Sequence, residues 1–113
     1  YPHARRRLFD LFDQTKASGV ILLSGNVHFA EISRTDAPAY PLLEFTSSGM
    51  THIDLEYAHA DNPSRLAGPM TKLNFGFVEI DWSAKLATRV LLKAIGLDGK
   101  VEFDHSMSLD HLR

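Results

Sequence analysis

One stretch decides how this chain is interpreted: Val20-Ile-Leu-Leu-Ser-Gly-Asn-Val-His28-Phe-Ala-Glu-Ile-Ser-Arg34. It begins with a short, fully apolar run, which is typical of a strand buried on both faces, and continues at once into polar groups. Gly25 permits a tight turn, and Asn26 and His28 place an amide oxygen and an imidazole two residues apart. Because ligands of α/β proteins collect where parallel strands end, the pattern favours a metal-dependent site over a plain core.

The residues before this stretch predict a helix from Tyr1 to Ala17. Pro2 suits the first turn of a helix, and Gly19 is the predicted left-handed residue at its end. A stripe of apolar residues, predicted to be buried, recurs at helical spacing and is formed by Leu8, Phe9, Leu11, Phe12 and Thr15. A helix followed directly by a buried strand indicates half of an α/β unit.

A second apolar run, residues 42–46, predicts another short strand, and it also ends in small polar residues, Ser47-Ser48-Gly49. We therefore expect these two strands to end at one shared rim. Between them, residues 33–41 predict a loop, because two prolines interrupt any regular pattern. Residues 52–73 show little periodicity and predict an irregular excursion over the surface, with a short helical turn or lid.

The last part of the chain predicts antiparallel strands. Residues 75–82 form one predicted strand, and residues 86–95 and 101–109 alternate on either side of Gly96-Leu-Asp-Gly99, a hairpin turn signal. Such alternation is expected of a sheet covered on one face. We expect the aromatic residues of this part to lie in the core: Phe75, Phe77, Trp82 and Phe103.

The composition limits the class of protein. The 113 residues are 44% hydrophobic and 23% charged, with a formal net charge of −2. This balance favours neither disorder nor a strong preference for nucleic acid. No apolar run reaches the ~18 residues that a membrane span needs, and no signal-peptide pattern opens the chain. The absence of cysteine removes disulfides and thiolate metal ligands.

Five residues are candidates for a site. Asn26 and His28 are the predicted metal ligands, since amide oxygen and neutral imidazole both bind metals. Glu31 offers a carboxylate that orients His28 or a neighbouring ligand. Ser48 lies on the rim, and His52 is assigned the catalytic role, as a ligand or proton donor. The alternatives are that Asn26 caps the turn, that His28 is a hydrogen-bonded interior histidine, and that Glu31 is a solvated surface residue.

The chain resembles the PhoD-type alkaline phosphatases, a branch of the metallophosphoesterases, on the segments 19–34, 43–52 and 74–82. Tyr1-Pro2 with the arginine-rich helix resembles the helix that precedes the first of these strands. The segments follow the family's order and span nearly the whole chain. The resemblance implies an α/β (α+β) fold, the C-terminal part of a metallophosphoesterase-like β-sandwich flanked by helices and ending in an antiparallel hairpin.

The resemblance also implies a phosphomonoesterase or phosphodiesterase with a multinuclear metal centre. Iron and calcium are the implied metals, with zinc or manganese as other choices, and a metal-activated water would attack phosphorus. His28 matches the histidine of the family's Gly-Asp-x-His element. Asn26 stands where many members have aspartate, and an amide brings no negative charge.

Residues 1–113 would then be the C-terminal portion of a single catalytic domain, expected to be inactive alone. Its expected partners are a phosphate ester substrate and the N-terminal half of the same domain, with no nucleic acid and no membrane. The compartment stays open, since family members are often exported while no signal is visible here. The alternatives are a non-catalytic pseudophosphatase or binding module, which Asn26 favours, and a self-sufficient α+β domain.

Overall fold

The computed structural model describes residues 1–36, 40–83 and 88–112. Within these ranges no helix has the length and apolar character needed to cross a membrane. The described structure is mixed α+β and consists mostly of strands. Its elements are α1 (Pro2–Thr15), β1 (Ile21–Ser24), β2 (Ala30–Thr35), β3 (Leu42–Ser47), β4 (Arg65–Met70), β5 (Asn74–Asp81), β6 (Arg89–Gly96), β7 (Val101–Ser108) and a closing 3₁₀ turn, Leu109–Leu112.

The strands form two sheets. Sheet A has four strands in the order β1-β3-β2-β4, and sheet B has three in the order β5-β6-β7. In sheet A, β1 runs parallel to β3, whereas the other pairs are antiparallel. Sheet B is antiparallel throughout. The antiparallel meander predicted for the last part of the chain is therefore confirmed.

The core lies between the two sheets. Ile32 of β2 and Leu92 of β6 are both 0% exposed and belong to one buried cluster. The sheets are in close contact at Gly76, where a Cβ would lie 2.9 Å from both the Phe45 ring and the Ser47 Cβ. Any larger residue at position 76 would push β5 away from sheet A.

The helix ends earlier than predicted, and it is not buried. Lys16 (φ 54°), rather than Gly19, is the left-handed residue that ends α1. The N–H of Ala17 closes the last turn on Phe12 O at 3.1 Å, as in a Schellman motif. The predicted apolar stripe is wrong as a buried face, because α1 contains no buried residue.

The prediction that β1 is buried on both faces is wrong. It is the edge strand of sheet A, and Leu23 is 67% exposed. The aromatic residues also depart from the prediction, because β5 is the edge strand of sheet B: Phe75 and Phe77 are exposed, and Trp82 beyond its end is 72% exposed. Phe103, in contrast, packs partly buried against the core.

Two strands were not predicted. Residues 33–35, expected to be loop, belong to β2, where Ser33 and Thr35 pair with β3. β4 lies within the stretch predicted as irregular, and its Gly68-Pro69 step resembles a turn signal in the sequence. β4 accommodates this step because it is an edge strand, paired with β2 through a bulged register. Residues 37–39 of the predicted loop and 86–87 of a predicted strand lie outside the described residues.

Candidate functional site

The predicted shared rim is confirmed by the sheet. Because β1 and β3 are parallel neighbours, with Ser24 opposite Thr46, the segments that follow them leave the same edge. The two segments are in contact there, since a Cβ on Gly25 would lie 3.3 Å from the Ser48 Cβ. The rim thus unites the turn after β1 with the loop after β3.

The turn after β1 has an unusual backbone. Asn26 (φ 72°) and His28 (φ 58°) both occupy the left-handed region, which non-glycine residues rarely adopt but asparagine tolerates best. The His28 backbone is held from both sides: its N–H donates to Ser48 Oγ at 2.8 Å, and its carbonyl accepts from the Asp54 N–H at 3.2 Å. Packing partners on the rim therefore fix the strained residue in place.

The same rim brings His28 and His52 together. Their ring centroids lie 3.8 Å apart at an interplanar angle of 57°. Thr51 Oγ1 lies 3.0 Å from His52 Nδ1, which leaves Nε2 as the His52 nitrogen free to face a ligand. His28 is half-buried and His52 is exposed, so a solute can reach the pair from solvent.

Asn26 and Ser48 lie on the rim, but in positions that suggest other tasks than ligation. Asn26 is exposed, and its left-handed backbone is by itself a reason for asparagine at this position. This is the turn-forming alternative stated above. Ser48 Oγ accepts a hydrogen bond from the backbone N–H of His28.

The Glu31 carboxylate has strong partners away from the imidazole of His28. Arg65 Nε lies 2.6 Å from Oε2, Asn62 Nδ2 lies 2.9 Å from Oε1, and Ser33 Oγ lies 3.2 Å from Oε1. Glu31 is therefore not a solvated surface residue. Asn62 and Arg65 carry no signal in the sequence. Each binds Glu31 across about thirty residues of chain, and neither belongs to a local motif.

A third residue that the sequence did not reveal, Asn74, supports the rim. Asn74 is buried, and its backbone N–H donates to Gly49 O at 2.9 Å. Its side chain donates to Lys72 O at 2.8 Å and accepts from Ser47 Oγ at 3.1 Å. A Cβ on Gly49 would overlap the Asn74 amide, so glycine is required here. The only sequence signal is the position of Asn74 at the start of a predicted strand.

A separate cleft lies elsewhere, between α1 and the outer face of sheet A. It has a volume of about 810 Å³ and includes neither His28 nor His52 in its lining. Its polar groups already have partners: Ser24 Oγ donates to Glu44 at 2.6 Å, and Glu31 is paired with Arg65. The reactive side chains of the rim are thus better candidates for chemistry than this cleft.

The two rim histidines alone would make only part of a metal centre. Two imidazoles in contact can deliver nitrogen lone pairs to one ion, but a zinc site needs at least three protein ligands. In the ranges that the structure describes, no group of three or more His, Asp or Glu side chains is placed to hold a metal. Further ligands would have to come from outside these residues.

Comparisons of the chain with protein-family models, with curated proteins and with solved structures found no match.

Proposed function

We propose that this chain is part of a metal-dependent phosphoric ester hydrolase, in which His28 and His52 hold a metal ion at the rim of sheet A. The observation that carries the proposal is the contact between their rings, whose centroids lie 3.8 Å apart. Imidazole is the commonest protein ligand of catalytic metals, and two such rings meet here on segments that leave the same sheet edge.

The chain's own residues define how such a site would be held. Ser48 and Asp54 fix the backbone of His28 by hydrogen bonds at 2.8 and 3.2 Å, so its imidazole starts from a rigid position. Thr51 Oγ1 contacts Nδ1 of His52. When Nδ1 donates to this hydroxyl, Nε2 keeps the lone pair that binds an ion; when the hydroxyl donates to Nδ1, Nε2 carries a proton for a leaving group. When bound, the metal would polarise the phosphoryl oxygens and activate a water.

The resemblance to the PhoD-type phosphatases supports the same assignment. The segments 19–34 and 43–52, which carry that resemblance, are the two that meet at the rim. We propose that the remaining ligands lie in an N-terminal half of one catalytic domain, and that residues 1–113 alone are inactive. Iron and calcium are the proposed metals, with zinc or manganese as substitutes, and the substrate is a phosphate monoester or diester.

A non-catalytic role is the second candidate function. The left-handed backbone of Asn26 (φ 72°) accounts for this residue without a metal, and its amide lacks the negative charge that aspartate would supply at this position. A pseudophosphatase or binding module would keep the two-sheet scaffold and the rim without hydrolysing phosphate esters.

The test is to measure metal content and phosphoesterase activity of the full-length gene product, with p-nitrophenyl phosphate and its bis ester as substrates. We expect His28→Ala and His52→Ala to lower turnover by several orders of magnitude and to reduce bound metal. His59→Ala is the matched control, because it removes an exposed imidazole from the same loop. Normal turnover and metal content in His28→Ala would disprove the ligand assignment, and a folded, metal-free, inactive wild type would favour the binding module.

A further inference from the structure

The loop that carries His52, residues 49–60, is here named the histidine loop. Its middle is fastened to the opposite side of the rim, since the Asp54 N–H donates to the carbonyl of His28 at 3.2 Å. Asp54 also turns the chain, because its carboxylate accepts from the Glu56 N–H at 2.8 Å. These bonds orient the part of the loop that directly follows His52.

The far end of the histidine loop is fastened by one side chain. Arg65 Nη2 donates to the carbonyl oxygens of Ala58 at 3.2 Å and of Ala60 at 3.4 Å. Ala58 is fully buried, so this end of the loop is seated in the protein rather than lying on its surface. Arg65 opens strand β4 and thereby ties the loop to the edge of sheet A.

Arg65 is itself held by Glu31. The guanidinium Nε lies 2.6 Å from Glu31 Oε2, and the side chains of Arg65 and Glu31 are only 19% and 12% exposed. Asn62 reinforces the pair: Nδ2 donates to Glu31 Oε1 at 2.9 Å, while Oδ1 accepts from the Ser64 N–H at 3.0 Å. An ion pair this shielded is screened little by salt.

We propose that Glu31 and Arg65 are positioning residues, which hold the histidine loop so that the ring of His52 meets the ring of His28. Glu31 lies on β2 directly after the His28 turn, and Arg65 grips the loop that follows His52. The pair therefore connects the two chain segments that supply the imidazoles. The idea that this positioning serves a metal site rests on the proposed function. The effect of Glu31 and Arg65 on the contact between the two rings does not depend on it.

The geometry requires arginine. One planar guanidinium serves a carboxylate and two carbonyl oxygens at once, whereas a lysine ammonium on this stem keeps the charge but not the fork. We therefore expect Arg65→Lys to retain the ion pair with Glu31 and to release the loop. Because Arg65→Gln leaves a shielded carboxylate without its cation, it carries a greater risk of unfolding, and Arg65→Lys is the principal variant.

The first readout is the contact between the two rings. It is measured by NMR on the full-length protein with isotope-labelled histidine. In the wild type we expect a nuclear Overhauser effect between ring protons of His28 and His52, and in Arg65→Lys and Glu31→Gln its loss with unchanged circular dichroism. Arg34→Lys is the matched control, since Arg34 lies at the exposed end of β2 and forms an ion pair with Asp36. An undiminished ring contact in both Arg65→Lys and Glu31→Gln would overturn the proposal.

The second readout is the affinity for Zn²⁺ alone. Substituting a residue that orients a metal ligand typically lowers metal affinity by about 10- to 100-fold. We therefore expect a loss of Zn²⁺ affinity of this size in Arg65→Lys and none in Arg34→Lys. In the double variant Arg65→Lys/His52→Ala the two losses should not add, because Arg65 acts through His52; fully additive losses would contradict this route. If Zn²⁺ affinity is unchanged in His28→Ala while Arg65→Lys still separates the rings, the proposed function fails and the positioning role stands.

Discussion

The two sheets differ in how regular they are and in what they carry. Sheet B is an antiparallel meander whose strands follow in chain order, and it holds none of the five candidate residues named from the sequence. Sheet A mixes parallel and antiparallel pairs, has bulged pairing with β4, and leads into a turn with two left-handed non-glycine residues, Asn26 and His28. The difference shows that the left-handed residues after β1 lie where two segments converge on one rim, whereas both sheets contain a register shift and both contribute residues to one core.

The largest expected effect tests whether the core is shared. Ile32 of sheet A and Leu92 of sheet B are both 0% exposed, so truncating either to alanine should lower the free energy of unfolding by about 2–5 kcal/mol. Urea unfolding of the full-length protein measures the loss. The control is Leu97→Ala, in the β6–β7 turn, where the side chain is 77% exposed. If Leu92→Ala costs no more than this control, the two sheets do not form one core.

The next effect tests the close contact between the sheets at Gly76. Gly76→Ala would set a Cβ against Phe45 and Ser47, and overpacking of this kind typically costs about 1–3 kcal/mol. The control is Ser106→Ala, at an exposed position of β7, which should leave the free energy of unfolding almost unchanged. Equal stability of Gly76→Ala and the wild type would show that the sheets have room to separate.

A smaller effect separates the two interpretations of Asn26. Because its φ is 72°, glycine should preserve the turn, whereas alanine should cost about 1 kcal/mol through backbone strain alone. The measurement is the unfolding free energy together with the Zn²⁺ affinity of Asn26→Gly and Asn26→Ala. Unchanged affinity in Asn26→Gly indicates a turn-forming residue. An equal loss of affinity in both variants would instead make the amide a ligand.

The smallest effect lies in the regular sheet, at the β6–β7 turn. The backbone N–H of Lys100, and then its ammonium group, lower the pKa of Asp98 below the usual aspartate value. A depressed folded-state pKa stabilises the fold above the pKa of the unfolded chain, and this contribution is lost as pH falls toward the folded value. Asp98→Asn should therefore lose slight stability at neutral pH and converge with the wild type in acid. Parallel stability curves of the two proteins between neutral and acidic pH would contradict this.

Much of the fold follows from local pattern. The helix, the strands near residues 42–46 and 75–82, and the hairpin around Gly96–Gly99 were predicted because periodicity and turn residues are local properties. β4 was missed because Gly68-Pro69 looks like a turn unless the edge position of the strand is known. The exposure of Leu23 and Trp82 was missed for a related reason, since edge strands are defined by their neighbours and not by their own residues.

The candidate site also has one part that local sequence predicts and one part that only the tertiary fold reveals. His28, Ser48 and His52 were found because each follows an apolar run, and the parallel pairing of β1 and β3 brings them to one rim. The partner of Glu31 was not found, since Arg65 lies in another part of the chain and only the tertiary fold makes them neighbours. The sequence thus pointed to the two rim histidines, but not to the ion pair between Glu31 and Arg65.

The most direct test of the account is X-ray absorption at the metal edge of the metal-loaded full-length protein. The rings of His28 and His52 are in contact, so the account predicts that both bind the same ion. Imidazole scattering should then fall by one ligand in His28→Ala, by one in His52→Ala, and not at all in His59→Ala. Identical spectra in all three variants and the wild type would contradict the account, since neither rim histidine would then be a ligand.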